Sequence, residues 1–449
     1  MKLIWRLSLL ALAVSAWPGA CAAATAALVL YRGATLVDGT GGPARPGMAI
    51  LTRGELITAI APVAELTAPP DARVVDVSRL YATPGLINSH EHLATEPNRP
   101  WAEAMMRRDI YGGITAVRDM AGDARQLADL ARAARVGEIA GPDVYYAALM
   151  AGPAFFEDPR TQSSAQGATA GAVPWMRAIT PDVDLQLAVA EARGTGASGI
   201  KIYADLPAAE VAAITREAHR QGIRVWAHAA VFPATPREVV EAGADVVSHA
   251  CMLGYQASTV VPRAYHRRAP VETAKFQGGV NSEVEALLAR MHARGTVLDA
   301  TLWVYGEMGR EHAAHPETPA PYCSEALADA LAARAYRAGV PIAAGTDGVS
   351  PQADLWPALQ DELELLQDRA GMTPGDVIGS ATRVGAMTIG RQDEMGTIAP
   401  GKLANLVFMT EDPLRDVRAF RSIVLTVKRG APFWRKDYRP VTPQEDQDQ

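Results

Sequence analysis

Between residues 84 and 391, short apolar runs alternate with amphipathic, alanine-rich stretches, and a glycine often joins the two. GGITAVRD is followed by ARQLADLARAARVG and then PDVYYAAL. The pattern continues through LQLAVAEARGTGASGIKIY, AEVAAITREAHRQGIRVWAHA, REVVEAGADVVSHA, VEALLARMHARGTVLDAT and EALADALAARAYRAGVPIAAGTD. Helical periodicity that stops at a glycine and resumes as a short β-forming run marks a βα unit, because the buried strand of a parallel sheet reads as one apolar run. With GLINSH as the first strand, eight units fit into roughly 300 residues. The predicted fold is α/β, a (β/α)8 TIM-type barrel with insertions. An open doubly wound sheet is the alternative, but it usually has fewer strands, and its phosphate-binding glycine fingerprint is missing here.

The two ends of the chain have another texture. LVLYRGATLVDG, MAILTRGELITAIAP and RVVDVSRLYAT cluster β-formers around Gly, Pro and Asp, and GTIAPGKLANLVFM and IVLTVKRGAPFW do the same near the other end. Residues 25–83 and 392–435 are therefore expected to form one small β-sandwich domain, with the barrel over 84–391. Residues 436–449 are expected to be a polar tail that frays.

Lys2 and Arg6 precede the apolar run LSLLALAVSA, and Pro18-Gly19 and the small residues of 20–24 follow it. That order is the order of a secretory signal, so residues 1–24 are expected to direct export to the periplasm or envelope. The run is too short to span a bilayer. Ala22-Ala23-Ala24 fits a small-x-small cleavage site; Gly19-Ala20-Cys21 is the alternative, similar to the end of a lipoprotein signal, and a lipid anchor on Cys21 would then be the one link to a membrane. Cys251 and Cys323 then remain, and two buried free thiols are expected rather than a bridge. With 43 Lys and Arg against 50 Asp and Glu, a net charge of −7 argues against nucleic acid as a partner. The composition, 49% hydrophobic and 21% charged, excludes a largely disordered chain.

In a barrel of this kind, reacting groups come from the C-terminal ends of different strands. The first strand ends Asn88-Ser89-His90-Glu91-His92, and the two-residue period of a strand puts His90 and His92 on one side. The fourth ends with Lys201 and Tyr203, the fifth with His228, the sixth with His249 and the eighth with Asp347. A lone strand histidine is more often a hydrogen-bonded core residue than a ligand. Four at equivalent strand ends, with a carboxylate, point to a metal centre. His219 and His292 fall late in helices that stop at glycine, where a cation suits the helix dipole; His266, His312 and His315 fall in loops and are expected to be solvated.

Lys201 is one of only six lysines, and it stands among isoleucines. A buried ammonium needs a partner; burial and nearby cations instead favour the neutral amine, which reacts with carbon dioxide to give a carbamate able to bridge two metals. Pairing with a buried carboxylate is the competing account.

These motifs resemble those of the amidohydrolase superfamily, on its imidazolonepropionase-like branch with binuclear, carboxylated-lysine hydrolases. The resemblance rests on TPGLINSHEHL (83–93), GGITAVRDMAG (112–122), GASGIKIY (196–203), RVWAHA (224–229), AGADVVSHA (242–250), AGTDG (344–348), SATRVGAMTIG and GTIAPGKLANLVF (396–408). It implies that His90, His92 and Asp347 hold one divalent metal, that His228 and His249 hold another, and that carboxylated Lys201 bridges both. Zinc is the default cofactor, with manganese or cobalt fitting nearly as well. It further implies attack by a bridging hydroxide on an amide, dipeptide-like or cyclic amide substrate, Asp347 as the catalytic proton carrier, and a homo-oligomer. Asn88 and Asn405 depart from the family pattern, where aspartate is usual. The segment after the third strand lacks the substrate-contacting histidine of several dipeptidase relatives, which puts peptidase activity in doubt. A mononuclear deaminase or imidazolone hydrolase, with Lys201 merely structural, is the enzymatic alternative, and a non-catalytic envelope binding protein the other.

Substrate selection is expected from three long loops, 151–184, 253–282 and 303–323. Tyr203, Arg263 and Arg267 are the expected substrate contacts. Arg263 and Arg267 belong to a cluster with Tyr265, His266 and Arg268 that suits a carboxylate.

Overall fold

In the computed structural model, residues 27–279 and 281–446 are described; the expected signal segment, Cys21 included, lies outside them. Five strands come first: β1 (Leu28–Leu36), β2 (Arg45–Arg53), β3 (Leu56–Pro62), β4 (Arg73–Asp76) and β5 (Tyr81–Pro84). Then follow β6 (Leu86–Glu91), β7 (Ile114–Asp119), β8 (Asp143–Ala151) and a short hairpin, β9 (Ala172–Val173) with β10 (Met176–Ala178). The series continues with β11 (Gly199–Ile202), β12 (Arg224–His228), β13 (Val246–Ser248), β14 (Val297–Asp299) and β15 (Ile342–Ala343). It ends with β16 (Leu406–Met409), β17 (Ile423–Lys428) and β18 (Ala431–Trp434).

Strands β6, β7, β8 and β11 to β15 pair in parallel, each with the next. The circle is drawn together between its last and first strands, where Ser89 N–H donates to the Ala344 carbonyl at 2.9 Å and Asp347 N–H to the His90 carbonyl at 3.1 Å. Helices lie between the strands, as the alternating sequence predicts. Their limits follow from local chemistry. Asn98, Asp123, Asp184, Asn281 and Ser324 each accept a first-turn N–H, and Gly137 and Gly295 end their helices in the left-handed conformation. His219 and His292 do sit in the last turns of their helices.

The barrel interior is a packed core rather than a pore. Ile87, Ala116, Trp226, Val246, Val297 and Ala343 form one cluster with Val384, Ala386 and Ile389 from the helical segment after the last barrel strand. Gly199 is needed there, since a Cβ at this position would lie 2.7 Å from the Trp226 indole. The N-terminal end of the barrel is thus plugged, and chemistry is left to the C-terminal end.

Both chain ends meet in one hydrogen-bonded sheet of eight strands, in the order β18-β17-β16-β5-β1-β2-β3, with β4 on β1. Its own core includes Tyr31, Leu36, Ile50, Phe408 and Leu425.

Three expectations are corrected. The segment after residue 436 is docked as far as Asp446: Val441 is buried, and Arg107 holds Glu445 through two bonds of 3.0 and 2.9 Å. One apolar anchor and one bidentate ion pair suffice to hold a polar segment that composition alone would leave loose. The region 303–323 is not all loop, because Leu302–Ala314 is a helix. Cys251 and Cys323 are joined as a disulfide rather than left as free thiols, their Cα atoms 6.3 Å apart, within the reach of a bridge.

Candidate metal centre and active site

All six predicted ligand residues converge at the C-terminal end of the barrel. His90 closes β6, and its ring is clamped on both sides: Nδ1 donates to Asp299 Oδ2 at 2.6 Å, and Nε2 lies 3.2 Å from Asp347 Oδ1. A carboxylate on Nδ1 fixes the proton there and turns Nε2 toward the centre. His92 follows the same plan, with Nδ1 against the Ala121 carbonyl at 3.3 Å and Nε2 3.1 Å from Asp347 Oδ1. His249 Nδ1 lies 3.0 Å from Thr301 Oγ1 and 3.7 Å from Asp347 Oδ2. The His228 ring stands 4.6 Å from that of His249.

His249, Thr301 and Asp347 have φ of 76°, 50° and 56°. These left-handed conformations at the ends of β13, β14 and β15 are sparsely populated for residues other than glycine, and such strain gathers where side chains must be aimed.

The electrostatics are those of a crowded, dry site. Burial, then the Lys201 charge, pushes the His228 imidazole well below its usual range, and burial brings His249 down to about 3. Burial would lower His90 too, but the carboxylates of Asp347 and Asp299 raise it. For Asp347 burial works upward, yet the imidazoles of His90 and His249 hold its carboxyl well below the ordinary value. Lys201 has no solvent exposure, and burial together with the Arg118 charge brings its amine down to about 7.

Lys201 Nζ and His228 Nδ1 are buried without a hydrogen-bond partner, and ligand atoms of His90, His249 and Asp347 lie within 4.8 Å of one another. Imidazoles, a carboxylate and two unpartnered buried nitrogens fit a divalent cation site. Among the described residues no carboxylate lies within ion-pair distance of Lys201, so the competing account of a structurally paired lysine finds no partner.

Four of the six, His92, His228, His249 and Asp347, line a cavity of about 350 Å³ together with Arg160, Tyr203, Tyr265 and Arg268. A larger depression of about 590 Å³ at the opposite end of the barrel, lined by Arg224, Asp245, Arg294 and Gln392, holds none of the converging groups. Tyr203 lines the cavity, its ring stacked on Phe155 at 4.3 Å and its hydroxyl 3.4 Å from that of Tyr265. Arg263 and Arg267 do not: both are exposed, whereas Arg268 of the same cluster does line it. The reason is local, since consecutive residues of an irregular loop point in different directions and charge density does not say which turns inward.

The segment after β8 contributes Arg160 to the cavity in place of the missing histidine, with its guanidinium held by Asp158 through bonds of 3.0 and 2.7 Å. The two departures from the family pattern have structural work. Asn88 Oδ1 accepts from His90 N–H and Thr346 N–H, both at 3.2 Å, and Asn405 Oδ1 accepts from Arg429 N–H at 2.8 Å.

One residue at the centre went unread. Asp299, at the end of β14, has no exposed surface, and its Oδ2 accepts from His90, from Arg118 at 2.8 Å and from Ser248 at 2.8 Å. The signal was present, because VLDA is a strand end carrying a carboxylate, the same sign that marks Asp347.

A sequence profile described as the amidohydrolase family matches residues 81–432. Among curated proteins, an adenine deaminase of Rubrobacter xylanophilus is 36% identical over 67 residues, 15% of this chain and 11% of that protein. An ochratoxinase of Aspergillus niger is 36% identical over 88 residues, 19% of this chain and 17% of that protein. The matched stretches thus span less than a fifth of these curated relatives. Among solved structures, a Xaa-Pro dipeptidase superposes with a TM-score of 0.73 at 20% identity, covering 91% of this chain and all of that one. The A. niger ochratoxinase superposes with a TM-score of 0.70 at 21% identity, covering 92% and 96%. At these identities the structural likeness speaks for the fold.

Proposed function

The chain belongs to the amidohydrolase family, and from that premise we propose that it is an exported, metal-dependent hydrolase cleaving a carbon–nitrogen bond in an amide, dipeptide-like or cyclic amide substrate. One observation carries this reading: His92, His228, His249 and Asp347 line one cavity at the strand ends, with His90 and Lys201 buried beside them and Lys201 Nζ left without a partner. His90, His92 and Asp347 would hold one divalent ion, His228 and His249 a second, and carboxylated Lys201 would serve both. Bound there, two such ions, zinc by default, supply a hydroxide nucleophile near neutral pH and polarise the substrate carbonyl.

The protein's own part is proton handling and orientation. A lysine amine brought down to about 7 is available in neutral form near neutral pH. It can add to carbon dioxide, forming an N–C bond and releasing one proton. Asp347, held ionised by its imidazole neighbours, accepts the proton of the attacking water at a carboxylate oxygen and returns it to the departing amine nitrogen. Asp299 and the Ala121 carbonyl keep His90 and His92 turned inward. The Tyr203 hydroxyl, at the cavity wall, donates to the substrate. Export is supported by the charged-then-apolar order of residues 1–24 and by the Cys251–Cys323 bridge, which suits an oxidising compartment.

The test is metal per chain by elemental analysis, on protein produced with divalent metal and bicarbonate, beside Lys201→Ala. About two ions per chain, falling in the variant, is the expected result. One ion or fewer, unchanged in the variant, would remove Lys201 from the centre and leave a mononuclear hydrolase or deaminase.

A further inference from the structure

The cavity wall carries two arginines, and they are in opposite situations. Arg160 is neutralised by Asp158 in a bidentate pair. Arg268 forms no ion pair among the described residues, although it lines the cavity beside His228, His249 and Asp347. Its guanidinium carbon lies 4.0 Å from the ring centre of Tyr265 and 4.4 Å from that of Tyr322. Nη1 donates to the Tyr265 carbonyl at 2.7 Å, and Nε is buried with no hydrogen-bond partner.

The two tyrosines are themselves held. Tyr322 shares a hydrogen bond with Tyr305 at 3.1 Å, and Tyr265 N–H donates to Asp205 Oδ1 at 2.7 Å. Arg268 also lines an adjoining depression of about 370 Å³, reaching Met308 and His312, so it stands at the junction of the two spaces. Glu311, the carboxylate in the lining of that depression, does not pair with it.

A planar fork fixed between two rings keeps its direction and loses little freedom when it meets a planar anion. A half-buried guanidinium without a counter-charge is costly until one is supplied. We infer that Arg268 binds a carboxylate of the substrate and thereby selects amides that bear one, of the N-acyl amino acid kind. This rests on the amide-hydrolase reading for its chemistry, but the anchor itself is a binding property.

The experiment uses the full, metal-loaded protein and a panel of N-acetyl amino acids, each paired with its own carboxamide. Calorimetric binding and hydrolysis are measured for wild type, Arg268→Met and Arg268→Lys, with metal content as a control on folding. Wild type is expected to bind the acids at least about 10-fold more tightly than the carboxamides. Arg268→Met is expected to lose about 10- to 100-fold on the acids and less than about threefold on the carboxamides, with Arg268→Lys in between. Equal losses on both series, no preference in wild type, or no binding of any acid would overturn the anchor. Acid-selective binding without hydrolysis would leave the anchor standing and count against the hydrolase. Hydrolysis without acid preference would do the reverse.

Discussion

Asp299 shows how much one side chain can organise. It accepts three hydrogen bonds at a single oxygen, and it neutralises Arg118, which is as deeply buried as itself. Gly345 leaves the room it needs, since a Cβ there would collide with Asp299 Oδ1. Asp299→Asn preserves shape but removes the charge that holds the proton on His90 Nδ1. Metal affinity, measured by competition with a chromogenic chelator, is expected to fall by about 10- to 100-fold. Unchanged affinity would mean that Asp299 serves only Arg118. The neighbouring candidate residues were legible because each is a histidine, a carboxylate or an isolated lysine at a strand end. Arg118 was not, because an arginine inside ITAVRD reads as a surface charge until the fold closes over it.

At the scale of elements, the loops that follow β13 and β14 are stapled to each other. Cys251 lies on the 3-10 turn Ala250–Ala257, just beyond His249, and Cys323 precedes the helix Glu325–Arg337. The residues beside them, Met252 and Tyr322, line the cavity. The bridge spans a sequence separation of 72, and closing a loop of that size contributes on the order of 4 kcal/mol by the chain-entropy argument. Replacing both cysteines with alanine is expected to lower the unfolding free energy obtained from urea titration by a large part of that amount, with a lower midpoint, while leaving metal content intact. A midpoint equal to wild type would show that the packing of these loops suffices. The helix Leu302–Ala314 has little in its sequence to announce it. Gly306 and Gly309 weaken its intrinsic propensity, and a tertiary contact helps to hold its start, where Glu362 accepts the Trp303 N–H at 2.7 Å.

That same Glu362 acts on the stability of the whole molecule. It has no exposed surface, and burial pushes its carboxyl up to about 8, against about 4.3 in an unfolded chain. Between those values the folded protein retains a proton that the unfolded chain has released. Stability contributed by the neutral form is therefore full below about 4 and is lost as pH rises through about 8. Glu362→Gln keeps an acceptor for Trp303 and removes the titration. Its melting temperature is expected to match wild type near pH 5 and to exceed it by a few degrees near pH 8.5. A parallel offset at both pH values would rule out this linkage.

The order of elements, the nearly closed parallel sheet and the convergence of six side chains at its strand ends followed from the chain alone, because period, glycine punctuation and strand-end position are local properties that a barrel turns into geometry. Tertiary structure alone decided which arginine of 263–268 faces the cavity, that Asp299 and Arg118 lie behind His90, that Cys251 meets Cys323, and that the segment near Val441 docks. Each of these depends on residues far apart in sequence approaching within bonding distance, or on the direction a side chain takes from an irregular backbone. No pattern along the chain encodes either.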